Sequence, residues 1–350
     1  MTQTSNALQD RQQQLVSWLQ PWLRQTSPNL VQVAGDASFR RYYRLEAQAT
    51  HLGEDLIVMD APPAQEDSSR FLQLAEAWHH EGIAVPRLHA SCQQQGFALL
   101  EDFGDRQLMQ VVEPLTPEAA DPFYRQALKQ LAELQQCSDQ QLAGLPTYDW
   151  ALLNREIQLF EDWLLGHFLD LKPSALPASW SHFREDLIQQ ALAQPQVRVH
   201  RDYHSRNLMV TPYQQLGILD FQDAVSGPCT YDAVSLIRDC YLDWPLAWQD
   251  QWLDYFYQLI QPGVNKSQFE HWFDWMGMQR HLKAAGIFAR LWLRDSKPSY
   301  LQDLPLTLQH LTRALKKYPQ AADITQWIED MILPQVVTLV HEQQIKHQEV

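Results

Sequence analysis

The chain has 350 residues, 45% of them hydrophobic and including 13 Trp, 12 Tyr and 13 Phe, enough to bury a core and divide it between two domains. Its 42 acidic residues against 27 basic ones give a net charge of -15; a nucleic acid or an anionic membrane surface would be repelled, and no local basic patch offsets that field. Cys92, Cys137, Cys229 and Cys240 fall outside any CxxC spacing, MTQTSNALQD lacks the basic start and apolar run of a secretion signal, and no apolar stretch is long enough to span a bilayer.

Leu8, Leu15, Leu19, Trp22 and Leu23 recur at helical intervals and predict a packing helix over residues 7 to 24. The runs LVQVAG, FRRYYRL and DLIVMDAP are short, partly β-branched or aromatic, and separated by GDAS and THLGED; they read as an antiparallel sheet. Phe71, Leu74, Ala75 and Trp78 mark one face of a helix that ends near Gly82, and Pro86 then opens an extended segment. FALLEDFGD supplies a further strand running into a polar corner at 101–105, which places a first domain at 1–103 and a second at 104–350.

Helical patterns follow at about 118–136, 149–165 and 182–193, with Leu153, Ile157, Phe160 and Leu164 forming the clearest stripe. Two extended pieces are expected in this half, NLMV and LGILDF, joined by the turn-like TPYQQ. Residues 249–260, 268–294, 299–317 and 323–343 read as helix. The expected fold class is α+β, a small sheet-rich lobe followed by a larger helical one, with a ligand-binding cleft between them.

The densest polar chemistry lies in VHRDYHSRNLMV, residues 199–210, and ILDFQDA, residues 218–224. If 208–210 and 216–219 pair as a hairpin, the loop before the first strand and the end of the second face one edge, where Asn207 and Asp220 converge. An amide oxygen and a carboxylate oxygen are hard ligands suited to Mg2+, which takes its remaining ligands from water and substrate phosphates. Asp202 would stand beside that ion, accept the proton of an attacking hydroxyl and align its oxygen with phosphorus. The arrangement points to a kinase, set against the plainer reading that Asp and Asn merely cap a polar turn. His200 reads as a structural residue that orients the loop. His204 and Arg206 are divided between solvated loop positions and contact with phosphate or substrate. His200 and His204 are four apart, as in HExxH, but the segment reads as a loop rather than the helix that a zinc protease needs.

HRDYHSRN together with LDFQDA resembles the catalytic signatures of the aminoglycoside phosphotransferase and choline kinase superfamily, relatives of protein kinases, in which HRD is followed by four residues and Asn. The resemblance implies a protein-kinase-like two-lobe fold, Asp202 as catalytic aspartate, Asn207 and Asp220 as magnesium ligands, and ATP as phosphoryl donor. Phe221 matches the phenylalanine of DFG, Gln222 replaces its glycine, and Arg201 stands where most of the phosphotransferase branch has glycine. GDASFRRYYRL, MDAPP, VPRLHA, LLEDFGD and GPCTYDAVSLIRD extend the similarity over nearly the whole chain. Together they resemble bacterial anomeric sugar kinases, which phosphorylate N-acetylmuramic acid and N-acetylglucosamine at C1 in cell-wall recycling. An aminoglycoside or choline-type kinase, and a nucleotide-binding regulatory pseudokinase, are the alternatives.

Within that frame GDASFRR falls between two strands, and Ala37, Ser38 and Phe39 would present backbone N–H groups to the ATP phosphates. The segment lacks GxGxxG, so a simple hairpin turn is the competing reading. Protein kinases place a phosphate-binding lysine on the third strand; here Met59 and Asp60 occupy that region and no lysine precedes Lys129. Arg40, Arg41 or Arg44 would supply the charge, with Arg44 preferred. Glu101 and Phe103 of the LLEDFGD crossover would receive adenine, and Glu76 is either the helix acid paired to a basic group of the first lobe or a surface glutamate. Arg206, Gln222, Asp223 and Asp232 are the candidate acceptor contacts, and Trp244, Trp248, Trp272 and Trp275 are either an aromatic wall or packing. The expected partner is a small-molecule amino sugar, with no nucleic acid, membrane or obligate protein partner, in a reduced cytoplasm.

Overall fold

The computed structural model describes residues 2–26, 28–33 and 39–348. In chain order the elements are α1 (Thr2–Leu19), β1 (Val31–Gln32), β2 (Arg41–Leu45), β3 (Leu56–Asp60), α2 (Ser69–His80), β4 (Leu88–Cys92), β5 (Phe97–Glu101), α3 (Leu108–Val112), α4 (Pro117–Gln135), α5 (Asp139–Ala143), α6 (Trp150–Leu159) and α7 (Trp180–Leu192). They continue as β6 (Gln196–Val199), β7 (Leu208–Val210), β8 (Leu216–Ile218), β9 (Val225–Pro228), α8 (Tyr231–Ile237), α9 (Leu246–Ile260), α10 (Lys266–Leu293), α11 (Leu304–Leu315), α12 (Ala322–Trp327) and α13 (Leu333–Gln348). The chain forms two compact units, Met1–Arg106 with Met209–Gln222, and Gln107–Leu208 with Asp223–Val350. The sequence reading divided the chain once, near residue 103; the structure also returns the 209–222 segment to the first unit, a long-range event that no local periodicity announces.

The first unit is built on a five-stranded antiparallel sheet in the order β1-β2-β3-β5-β4. Strand alternation turns Leu45, Leu56, Val58, Phe97 and Leu99 to one face, where Leu15 and Leu19 of α1, together with Leu23, bury them. Such side chains contribute about 1.5–3 kcal/mol each when fully buried. Arg11 of α1 ties the same packing to the end of β3, its Nη2 lying 2.6 Å from Asp60 and its guanidinium 4.1 Å from the centre of the Phe97 ring. β7 and β8 pair as the expected hairpin. The hairpin is fastened within this unit by Val210 N donating to Arg106 O and Ile218 N to Ala84 O, at 2.8 and 2.7 Å. Gly217 is required there, because a Cβ would stand 2.2 Å from the Phe103 ring.

The second unit is mainly helical and centres on α10, a 28-residue helix buried along most of its length. The stripe Leu153, Ile157, Phe160 and Leu164 is buried as its spacing predicts, but the helix changes form within it: α6 gives way at Phe160 to π-helical turns through Phe168. A second π-helical stretch, Ile328–Ile332, interrupts the helix expected over 323–343. Two further strands correct the sequence reading, which found only NLMV and LGILDF extended in this half: β6 and β9 pair antiparallel, with Val199 opposite Val225. QVRV and VSGP hid this pairing, since Arg198 is buried and Gly227 and Pro228 resemble a loop. Gly227 lets the strand pass under Tyr148, whose Cβ would be 3.0 Å from any added Cβ.

Candidate active site

β6 ends at Val199 and hands the chain to the loop 200–207, which is held by backbone-directed hydrogen bonds from several elements of the second unit. The two oxygens of Asp232 in α8 accept the backbone N–H groups of His200 and Arg201 at 2.7 and 3.0 Å. Asp239 accepts those of Ser205 and Tyr241 at 2.9 and 3.1 Å. Tyr203 is fully buried and donates its hydroxyl to Ala127 O of α4 at 2.8 Å. His200 is also buried, and its Nδ1 accepts the Asp202 N–H at 3.2 Å, the orienting role its position suggested. The turn thereby carries Asp202 on a rigid frame.

Asn207 closes the loop. Its backbone N–H donates to His204 O at 2.9 Å and its side-chain nitrogen to Asp202 O at 3.0 Å, which fixes the plane of the amide. Burial pushes the Asp202 carboxyl up, but Lys283, His204, Arg201 and His200 outweigh it, and the group is held below the usual carboxylate range. Asp202 is therefore an anion at neutral pH.

Arg206 lies 3.6 Å over the Tyr241 ring and 3.5 Å from Asp303, and its side chain keeps part of its surface exposed. Asp303 is pushed up to about 7 by burial, against the pull of Arg206. Asp223 is exposed, and its carbonyl accepts from Arg201 at 3.5 Å. Asp232, read from the sequence as an acceptor contact, is corrected by its environment: it is 0% exposed and its oxygens are taken by the loop backbone, so it has no surface to offer a ligand. Burial pushes its carboxyl up to about 7 despite those bonds. Trp244, Trp272 and Trp275 are buried packing residues, and Trp248 is half-buried.

In the first unit, Asp220 follows β8 in the left-handed region, φ 63°, and its Oδ1 accepts from Gln222 Nε2 at 2.6 Å. Phe221 is fully buried, stacked on Phe71 of α2 with ring centres 5.0 Å apart and packed near Trp78 at 5.5 Å. Arg70 Nε donates to Gln222 O at 2.7 Å. The DFQ segment is thus anchored to one helix at its phenylalanine and at the glutamine that follows.

Ala37 and Ser38 lie outside the described residues; Phe39 beside them is exposed. Arg44 is engaged by Asp102 and by Asp105, the latter at 2.8 Å, which ties β2 to the crossover after β5. Arg40 is buried and pairs with Glu66 at 2.8 Å just ahead of α2. Glu76 is exposed, in keeping with its surface reading. On the crossover, Glu101 accepts the Arg87 N–H at 3.2 Å, and the buried Phe103 covers Gly217.

The sequence profile of the phosphotransferase enzyme family matches residues 29–269. The chain is 39% identical over 332 residues to an N-acetylmuramate/N-acetylglucosamine kinase of Pseudomonas aeruginosa, covering 90% of this chain and 95% of that protein. It is 37% identical over 337 residues to the kinase of the same name from Pseudomonas putida, covering 92% and 96%. Among solved structures, Plasmodium vivax ethanolamine kinase is similar with a TM-score of 0.59 at 12% identity over 82% of each chain. An ADP-bound aminoglycoside phosphotransferase gives 0.55 at 15% identity, over 86% of this chain and 98% of the other. At such identities the likeness is one of fold, and it matches the expected α+β class.

Proposed function

The chain belongs to the phosphotransferase enzyme family, and from that premise we propose that it transfers the γ-phosphoryl group of ATP to the anomeric C1 hydroxyl of N-acetylmuramic acid and N-acetylglucosamine. The observation that carries the proposal is the pair of relatives bearing those sugars in their name, matched along nine-tenths or more of both chains. Asp202 receives the proton of the C1 hydroxyl as the sugar oxygen forms its bond to phosphorus and the bond from that phosphorus to ADP breaks. Its anionic state and the fixed loop beneath it suit that task.

Asn207 and Asp220 would hold Mg2+, being the hard oxygen donors that this ion selects. When bound, the ion offsets negative charge on the phosphates. Glu101 and Phe103 would border adenine, and the segment containing Ala37, Ser38 and Phe39 would cover the phosphates. Arg44 would act by holding Asp102 and Asp105 of the crossover in place. Arg206 is the candidate partner for the carboxylate that N-acetylmuramic acid carries and N-acetylglucosamine lacks; Gln222 and Asp223 would meet sugar hydroxyls. An enzyme that draws on ATP would work in the cytoplasm, where ATP is held. Among the described residues no helix is long and apolar enough to cross a membrane.

The test is to incubate the protein with Mg-ATP and each sugar and to locate the new phosphate by phosphorus NMR. A C1 phosphate on either sugar supports the reading. Phosphate on C6 overturns the anomeric assignment, and turnover confined to aminoglycosides or choline overturns the sugar assignment.

A further inference from the structure

Arg201 sits at φ 78°, in the left-handed region where a side chain crowds its own carbonyl. Its guanidinium reaches back to Glu156 of α6 at 2.6 Å. Glu156 is buried, 3% exposed, and also accepts from the Tyr148 hydroxyl and from Gln279 Nε2 at 3.1 Å. Lys283 of α10 approaches the same carboxylate at 3.2 Å and donates to the Tyr231 hydroxyl at 2.8 Å. One interior carboxylate is therefore shared by two cations from different parts of the chain. An unpaired member of such a group would be a strongly unfavourable buried charge. The proposed reaction assigns no contact with the phosphoryl donor or acceptor to Glu156, Lys283, Tyr148 or Tyr231.

We infer that Glu156 is a positioning residue for phosphoryl transfer: by clamping the Arg201 side chain it holds the backbone of residue 201 in the left-handed turn that aims Asp202. The inference rests on the reading of Asp202 as the group that receives the acceptor's proton. The turn is pinned twice, through its backbone by Asp232 and through its side chain by Glu156. Without the second pin, residue 201 is drawn toward the ordinary right-handed or extended regions and carries Asp202 with it.

Four full-length variants test this: Glu156→Gln, Arg201→Gly, Arg201→Ala and the double variant Glu156→Gln with Arg201→Gly, each assayed on whichever hydroxyl acceptor the wild type phosphorylates. Glu156→Gln should lower kcat by about 10- to 100-fold, the scale of a displacement of about 1 Å, with the KM for ATP unchanged. Arg201→Gly should keep more activity than Arg201→Ala, because glycine adopts the positive φ without crowding. The double variant should lose less than the product of the two single losses, since Glu156 acts through Arg201. Crystal structures of Glu156→Gln and Arg201→Ala should show residue 201 outside the left-handed region. Multiplying losses, an alanine variant as fast as the glycine one, or an unmoved loop in the crystal would overturn the assignment. Should Glu156→Gln fail to fold, the two Arg201 variants decide it. A wild type that phosphorylates no hydroxyl compound would overturn the kinase reading instead, while the crystallographic comparison still judges the clamp.

Discussion

A Cβ built on Gly286 would stand 2.3 Å from the carbonyl carbon of Leu159. The backbones of α10 and α6 touch at this point, where the π-helical turns begin at Phe160. Lys283 and Glu156 lie three residues earlier on each helix, so they share a face with the crossing. Gly286→Ala must force the helices apart or distort one of them, a change that costs about 1–3 kcal/mol. The expected result is a lower urea midpoint at unchanged slope, with slower turnover as Lys283 and Glu156 separate.

Asp202→Asn keeps the shape of the loop and removes the proton acceptor. The expected loss in kcat is about 10²- to 10⁴-fold, with ADP affinity retained in a calorimetric titration. Undiminished turnover would remove Asp202 from the reaction.

Asn207→Ala and Asp220→Ala each delete one hard oxygen donor. The Mg2+ concentration giving half-maximal rate should rise by at least about tenfold in either variant. Chelation of the wild type should abolish turnover, and added Mg2+ should restore it.

Arg206→Met retains part of the packing against Tyr241 and removes the charge. Loss of a charged hydrogen bond is worth about 1.5–3 kcal/mol, so kcat/KM for N-acetylmuramic acid should fall by about 10- to 100-fold while that for N-acetylglucosamine stays near the wild-type value. An equal fall for both sugars would make Arg206 a residue of the loop rather than of the carboxylate.

His281 and His310 are buried and stacked, with ring centres 5.3 Å apart. Burial foremost holds both below the usual histidine range. The unfolded chain binds protons near its ordinary value of about 6.5 while the native state does not, so their contribution is intact above that pH and is lost as pH falls below it. Asp232 and Asp303, both raised to about 7, act in the opposite sense, taking up protons in the native state as pH falls from about 7 toward the ordinary carboxylate value. Comparison of His310→Asn with the wild type separates the two. Between pH 6.5 and 5 the wild type should lose about 2 kcal/mol more than the variant, measured by urea unfolding at each pH.

The candidate catalytic loop stands out in the sequence because the chemistry proposed for it demands fixed residue types at fixed spacing, which Asp202, Asn207 and Asp220 supply. The hairpin that follows was legible from alternation and turn residues. Glu156 was not. In NREIQ it reads as one more solvated face of an amphipathic helix, and only the arrival of α10 encloses it. Asp232 shows the converse error, a carboxylate near the motif that turns inward to hold backbone N–H groups. Glu76 falls to the surface reading, since it lies off the apolar face marked by Phe71, Ala75 and Trp78 and is exposed.

The return of 209–222 to the first unit has a temporal meaning during synthesis. The strands of the five-stranded sheet leave the ribosome more than a hundred residues before the hairpin that covers Phe103 and the phenylalanine that stacks on Phe71. At the usual pace of translation that gap lasts on the order of ten seconds. For that interval the nascent sheet and α2 stand with an apolar surface uncovered, and the early half of this protein must wait for the later half to complete it.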